Sequence, residues 1–136
     1  ADALIIGSDQ VASLDGEILR KPGNHDKALM QLSKLSGRTA NFDTAIALLD
    51  NRTGDLRCEL VTCTVTYRRL SQSQMEAYLA EDKPYDCAGS AKAERLGIAL
   101  VSSINSTDPT ALIGLPLIAL TSLLSDAGMP VLPRPC

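Results

Sequence analysis

The chain has 136 residues, 45% hydrophobic and 21% charged, a length and balance that suit one globular domain and exclude disordered and fibrous classes. Thirteen Lys and Arg against sixteen Asp and Glu leave a net charge of −3, so no bulk positive field is present to gather a nucleic-acid backbone. With no Trp, one Phe and three Tyr, base-stacking platforms are scarce and the core is expected to be aliphatic.

The first element is an apolar run, Ala3-Leu4-Ile5-Ile6, read as an interior strand that breaks at Gly7-Ser8-Asp9-Gln10 before Val11 resumes it. A buried strand starting this close to Ala1, with no Met before it, is expected of a trimmed product. Asp15-Gly16 is a hairpin turn pair, and Glu17 to Arg20 reads as the return strand, stopped by Lys21-Pro22. From Asn24 as N-cap, Ala28, Leu29, Leu32 and Leu35 recur at helical spacing until Gly37. Phe42 to Leu49 is strand-like. A turn at Asn51 to Asp55 leads into a strand in which Val61, Cys63, Val65 and Tyr67 alternate with polar residues. Ser71 and Gln74 form a capping box for a helix that buries Met75, Tyr78 and Leu79 and stops at Lys83-Pro84. Ile98 to Ile104 is a further strand, Asp108-Pro109 caps a helical turn, and Leu115 to Ala127 is a helix closed by Gly128. Strands alternating with helices predict an α/β domain over 1–128, with a mixed sheet because hairpins are present, followed by a proline-rich tail over 129–136.

The four cysteines, Cys58, Cys63, Cys87 and Cys136, have neither CxxC spacing nor a neighbouring His pair, and read as reduced thiols rather than zinc ligands or disulfides. The longest apolar run, Leu112 to Leu120, is broken by Gly114 and Pro116 and falls short of the ~20 residues of a membrane span. No secretory leader pattern is visible, so the expectation is a cytoplasmic protein.

Asp9 draws attention because a carboxylate at a strand break must be paired, solvated or bound to a metal. From the pattern alone it is equally a turn-capping residue. Lys21, set before a rigid proline, faces either an anion or solvent. The stretch Tyr85 to Gly97 carries Cys87, Gly89, Ser90, Lys92 and Glu94, with glycines that permit close backbone approach to a ligand. Neither GxxxxGK[ST] nor GxGxxG occurs. His25 reads as a first-turn surface residue rather than the partner of a Cys nucleophile.

Taken in order, GSDQV (7–11), KP (21–22), LSGRT (35–39), CAGS with a Glu four residues beyond the Ser (87–94) and DPxxLxGLPL (108–117) form a recognisable series. In these blocks the chain resembles the Maf family of nucleotide pyrophosphatases, and within it the branch that hydrolyses 7-methylguanosine triphosphate. That resemblance implies a mixed α/β fold of the inosine-triphosphatase type, a divalent metal (Mg²⁺ or Mn²⁺), a homodimer, a nucleoside triphosphate as substrate, and no nucleic-acid or membrane partner. It implies Asp9 as catalytic proton acceptor and candidate metal ligand, Lys21 as the phosphate-stabilising lysine, and Gln10 and Glu94 as the residues that set base preference. Cys87 stands where the thymidine- and uridine-triphosphate branch has Lys, and Arg20 where relatives have Gly. Family members also carry a strand and a phosphate-cradling serine-to-arginine motif ahead of the matched region, so the resemblance implies a domain lacking its amino-terminal third. The alternative is therefore a nucleotide-binding domain with little or no turnover.

Overall fold

The computed structural model describes residues 1–133, so Cys136 and the end of the expected tail lie outside the described residues. Strand β1 (Leu4–Leu14) turns at Asp15-Gly16 into β2 (Glu17–Leu19), and helix α1 (His25–Leu35) follows. Next come β3 (Thr39–Asp50), β4 (Asp55–Tyr67) and helix α2 (Gln72–Asp82). A 3-10 turn at Leu96–Leu100 leads into β5 (Val101–Asn105), a second 3-10 turn spans Pro109–Ile113, and helix α3 (Leu117–Asp126) completes the order.

The sheet runs β2-β1-β3-β4-β5. Strand-and-helix layering follows the expectation, while every pairing among the described strands is antiparallel. Alternation decides which face is covered. Ala40, Phe42, Ile46 and Leu48 of β3 and Val61, Cys63, Val65 and Tyr67 of β4 are buried in one cluster with Leu32 and Leu35 of α1, Leu79 of α2 and Leu123 of α3. Residues between them face outward, so Ile5, Val11, Leu56 and Leu60 are exposed. The core is mainly aliphatic, but Phe42, Tyr67 and Tyr78 are also buried in it. Scarcity of aromatics did not keep them at the surface.

Most local signals are realised. Asp15 and Gly16 both have positive φ, 52° and 80°, the geometry of a two-residue hairpin turn. Asn24 Oδ1 accepts the Lys27 N–H at 2.9 Å, and both bonds of the Ser71/Gln74 capping box are present. Two expectations are corrected. β1 does not break at Gly7-Ser8-Asp9-Gln10; it pairs with β3 from Leu4↔Asp50 to Ser13↔Asn41 without interruption. The polar residues are tolerated because β2 pairs only Ala12–Leu14, so no described strand neighbours the other edge of β1 from Leu4 to Val11. The second correction is Ile98 to Ile104, whose first residues belong to the 3-10 turn, with the strand starting only at Val101. Among the described residues no helix is long and apolar enough to cross a membrane, and Cys58, Cys63 and Cys87 are free thiols.

Candidate active site

The free edge of β1 opens onto a cavity of about 270 Å³. Asp9 and Gln10 enter it from β1, Lys21 from the segment after β2, Phe42 from β3, and Val65 and Tyr67 from β4. Asp86, Cys87 and Glu94 come from the loop after α2, and Leu112 and Ile113 from the second 3-10 turn. The four residues singled out in the sequence, Asp9, Gln10, Lys21 and Glu94, thus come together from three separate stretches of chain.

Adjacent residues on a strand point to opposite faces, and both Asp9 and Gln10 reach the cavity because it lies at an edge. The Gln10 N–H has no strand partner there and donates to Asp9 Oδ1 at 2.9 Å, folding the Asp9 carboxylate back along the edge. Gln10 lies on the core side. Its Nε2 donates to Thr44 Oγ1 at 3.0 Å, to Ala111 O at 3.0 Å and to Leu112 O at 3.2 Å. Thr44, fully buried opposite Gln10 on β3, also donates its hydroxyl to Ala111 O at 3.1 Å. With its amide nitrogen so engaged, Gln10 has Oε1 left as the acceptor available to a ligand.

The second 3-10 turn is organised by Asp108, which is 2% exposed. Its Oδ1 accepts from Thr110 N and Thr110 Oγ1, at 3.1 and 2.6 Å, and its Oδ2 from the Ile118 and Ala119 N–H groups at the start of α3, at 2.8 and 3.4 Å. Burial alone would push the Asp108 carboxyl up, but these donors hold it below its ordinary value. Sequence reading found the cap on the 3-10 turn and missed that the same carboxylate caps α3, which lies ten residues further on and has Pro116 as its nominal N-cap.

Opposite β1, the loop between Lys83 and Arg95 is pinned at several points. Tyr78 Oη accepts the Lys92 N–H at 2.8 Å, Lys92 Nζ lies 3.7 Å from Asp86 Oδ1, and Arg95 Nε lies 3.6 Å from the buried Asp82. Gly89 and Gly97 serve the protein's own packing here. A Cβ on Gly89 would lie 2.9 Å from Phe42 Cζ at φ +83°, and one on Gly97 would overlap the Lys92 backbone. The Cys87 thiol donates to Asp86 Oδ1 at 3.5 Å; burial first, and then the Asp86 charge, push it up, which keeps it protonated and unsuited to nucleophilic attack. Asp86 is held down by its own backbone N–H, the Cys87 thiol and Lys92. His25 Nδ1 lies 3.3 Å from Tyr85 Oη, so its described partner is a tyrosine and no cysteine.

Asp9, Asp86 and Glu94 outnumber the single lining cation, Lys21, in a cavity whose other walls are largely apolar. Such a site favours a flat group of cationic character at its acidic end, and needs an added cation to take a polyphosphate. A family profile described as Maf-like protein matches residues 1–127. The chain belongs to the Maf-like family. Maf-like relatives include a protein named 7-methyl-GTP pyrophosphatase from Cupriavidus pinatubonensis, 59% identical over 129 residues, covering 95% of this chain and 65% of that protein. Proteins of the same name from Cupriavidus metallidurans and Thiobacillus denitrificans are 55% and 54% identical, with 96% and 98% of this chain covered. The chain spans 65% of the length of both Cupriavidus relatives.

Proposed function

We propose that this Maf-like domain is a nucleoside triphosphate pyrophosphatase that hydrolyses 7-methylguanosine triphosphate to 7-methylguanosine monophosphate and pyrophosphate. The observation that carries the reading is the convergence of Asp9, Gln10, Lys21 and Glu94 on one cavity, in a chain whose relatives at 50–59% identity are named 7-methyl-GTP pyrophosphatase. Guanine presents N1–H and N2–H₂ as adjacent donors that one carboxylate accepts together, and N7 methylation adds positive charge. Glu94 is the group suited to both features, with Gln10 Oε1 as a further acceptor. Asp9 takes the proton of the attacking water as its oxygen bonds to the α-phosphorus, and Lys21 offsets the charge of the departing pyrophosphate.

Among the described residues no three His, Cys, Asp or Glu side chains are grouped so that they could hold a metal ion by themselves. The donor set fits an oxygen-preferring ion that arrives with the substrate, held by the Asp9 carboxylate and phosphate oxygens, which is the usual habit of Mg²⁺ and Mn²⁺. When bound, the ion neutralises phosphate charge. A homodimer, a cytoplasmic location and independence of nucleic acid and membranes belong to the same proposal.

One observation favours a second reading, a domain that binds the nucleotide with little turnover: a triphosphate would meet a single lining cation, Lys21. The test is pyrophosphate release and calorimetric binding with Mg²⁺ and 7-methylguanosine, guanosine, thymidine or uridine triphosphate. Release selective for the methylated substrate, with a preference eroded at least tenfold by Glu94→Gln, supports the first reading. Selective binding without release supports the second. Absence of binding overturns both.

A further inference from the structure

The two walls of the cavity are joined by one amide outside it. Gln31, on α1, accepts a hydrogen bond from Ser90 Oγ at 2.6 Å and donates from Nε2 to the Arg20 carbonyl at 2.9 Å. Ser90 is fully buried and sits at φ +55° in the turn between Cys87 and Glu94; Arg20 immediately precedes Lys21. A second tie runs in parallel, the Gly23 N–H donating to Tyr85 O at 2.8 Å. The Gln31 carboxamide accepts from the hydroxyl through Oε1 and donates to the carbonyl through Nε2. A glutamate would set a carboxylate oxygen against the Arg20 carbonyl, and a methionine would leave the buried Ser90 hydroxyl without its acceptor.

We propose that Gln31 is a positioning residue that fixes the distance between Lys21 and the Cys87–Glu94 loop, so that one ligand engages both walls at once. The proposal deepens the reading given under Proposed function and rests on it for the identity of the ligand. Its physical content is linkage. Groups preset at the right separation let the second contact of a ligand form without further ordering, and a bridging ligand gains affinity that its halves do not have.

The test compares wild type with Gln31→Met and Ser90→Ala, measuring calorimetric affinity for 7-methylguanosine and for 7-methylguanosine triphosphate. Loss of the bridge should reduce the ratio of the two dissociation constants by about five- to tenfold, the scale of one hydrogen bond. A residue important only for stability would leave the ratio unchanged. Ligand-free hydrogen exchange supplies the independent arm. Gln31→Met should speed exchange of the Gly23 amide about tenfold or more and leave Leu32 and Leu35 in α1 protected as before. A changed ratio with faster Gly23 exchange supports the proposal. Unchanged Gly23 protection overturns it whatever the ligand data show, and an unchanged ratio overturns it wherever wild type binds both compounds. If wild type binds neither compound, the functional reading fails, while the exchange arm still decides the role of Gln31.

Discussion

Replacing Asp108 by Asn tests how far the cavity depends on a carboxylate that never touches it. Asn keeps the oxygen that accepts from Thr110 and replaces the other with an amide group that faces the Ile118 and Ala119 N–H groups, where two donors would meet a third. Each lost charge-assisted bond is worth roughly 1.5–3 kcal/mol, and exposure of Ile118 lets water recover part of it, so the expected loss is about 3 kcal/mol. For a domain of this size that lowers Tm by about 10 °C. The effect carries a pH signature. Because the folded carboxyl is held below its ordinary value, its stabilisation is complete above the unfolded value of about 4 and drains away as pH falls through the folded one. Urea titrations of wild type and Asp108→Asn should therefore diverge by about 3 kcal/mol at pH 7, with the gap narrowing progressively once pH falls below the unfolded value of about 4. A gap below about 1 kcal/mol at pH 7, or one that persists undiminished in acid, would refute the capping argument. The consequence for the site is indirect. Ala111 and Leu112, whose carbonyls hold Gln10, lie on the 3-10 turn that Asp108 closes.

In a form that turns over, Asp9→Asn should lower kcat by roughly 10² or more at saturating metal, the scale of a lost general base, and near-normal turnover would dismiss that role. Lys21→Ala should weaken pyrophosphate binding or kcat without moving Tm by more than a degree or so, because an exposed lysine adds little to stability; a folding defect with normal kinetics would assign it to structure. Gly89→Ala should destabilise the chain by about 1–3 kcal/mol in urea denaturation, since the left-handed backbone and the buried Phe42 ring both oppose a Cβ, and a neutral result would show that the loop has another way to pack.

Local grammar was legible in the sequence wherever one residue and its immediate neighbours decide the outcome. The Asp15-Gly16 turn, the Asn24 cap, the Ser71/Gln74 box and the alternation of β4 all depend on contacts within a few residues. β1 was misread because its polar residues were judged against a strand buried on both sides, whereas this strand has an open edge at which Asp9 and Ser8 are exposed. The residues of the candidate site are legible through motif resemblance; spacing alone leaves Asp9 balanced between a site and a turn cap and gives Lys21 either an anion or solvent to face. The roles of Thr44 and Gln31, the contact of Ser90 with Gln31 and the second role of Asp108 are invisible in sequence for one physical reason. Each acts through a partner brought near only by the tertiary fold, as when Ser90 meets Gln31 across 59 positions of sequence.

The order of the sheet has a kinetic consequence. β3 and β4 are joined by a tight turn, with Asp50 opposite Asp55, so their hairpin needs only a short loop closed. β1 reaches β3 in the opposite circumstance, with Leu4 set against Asp50 and both the hairpin and α1 lying between. Contacts of that separation are entropically costly to close and belong to the slow end of folding. Asp9 and Gln10 ride on the late strand, whereas Phe42, Val65 and Tyr67 ride on the early hairpin. Loop-closure entropy therefore puts the apolar wall of the cavity ahead of its polar groups in the expected order of assembly, with the site completed only when β1 docks along β3.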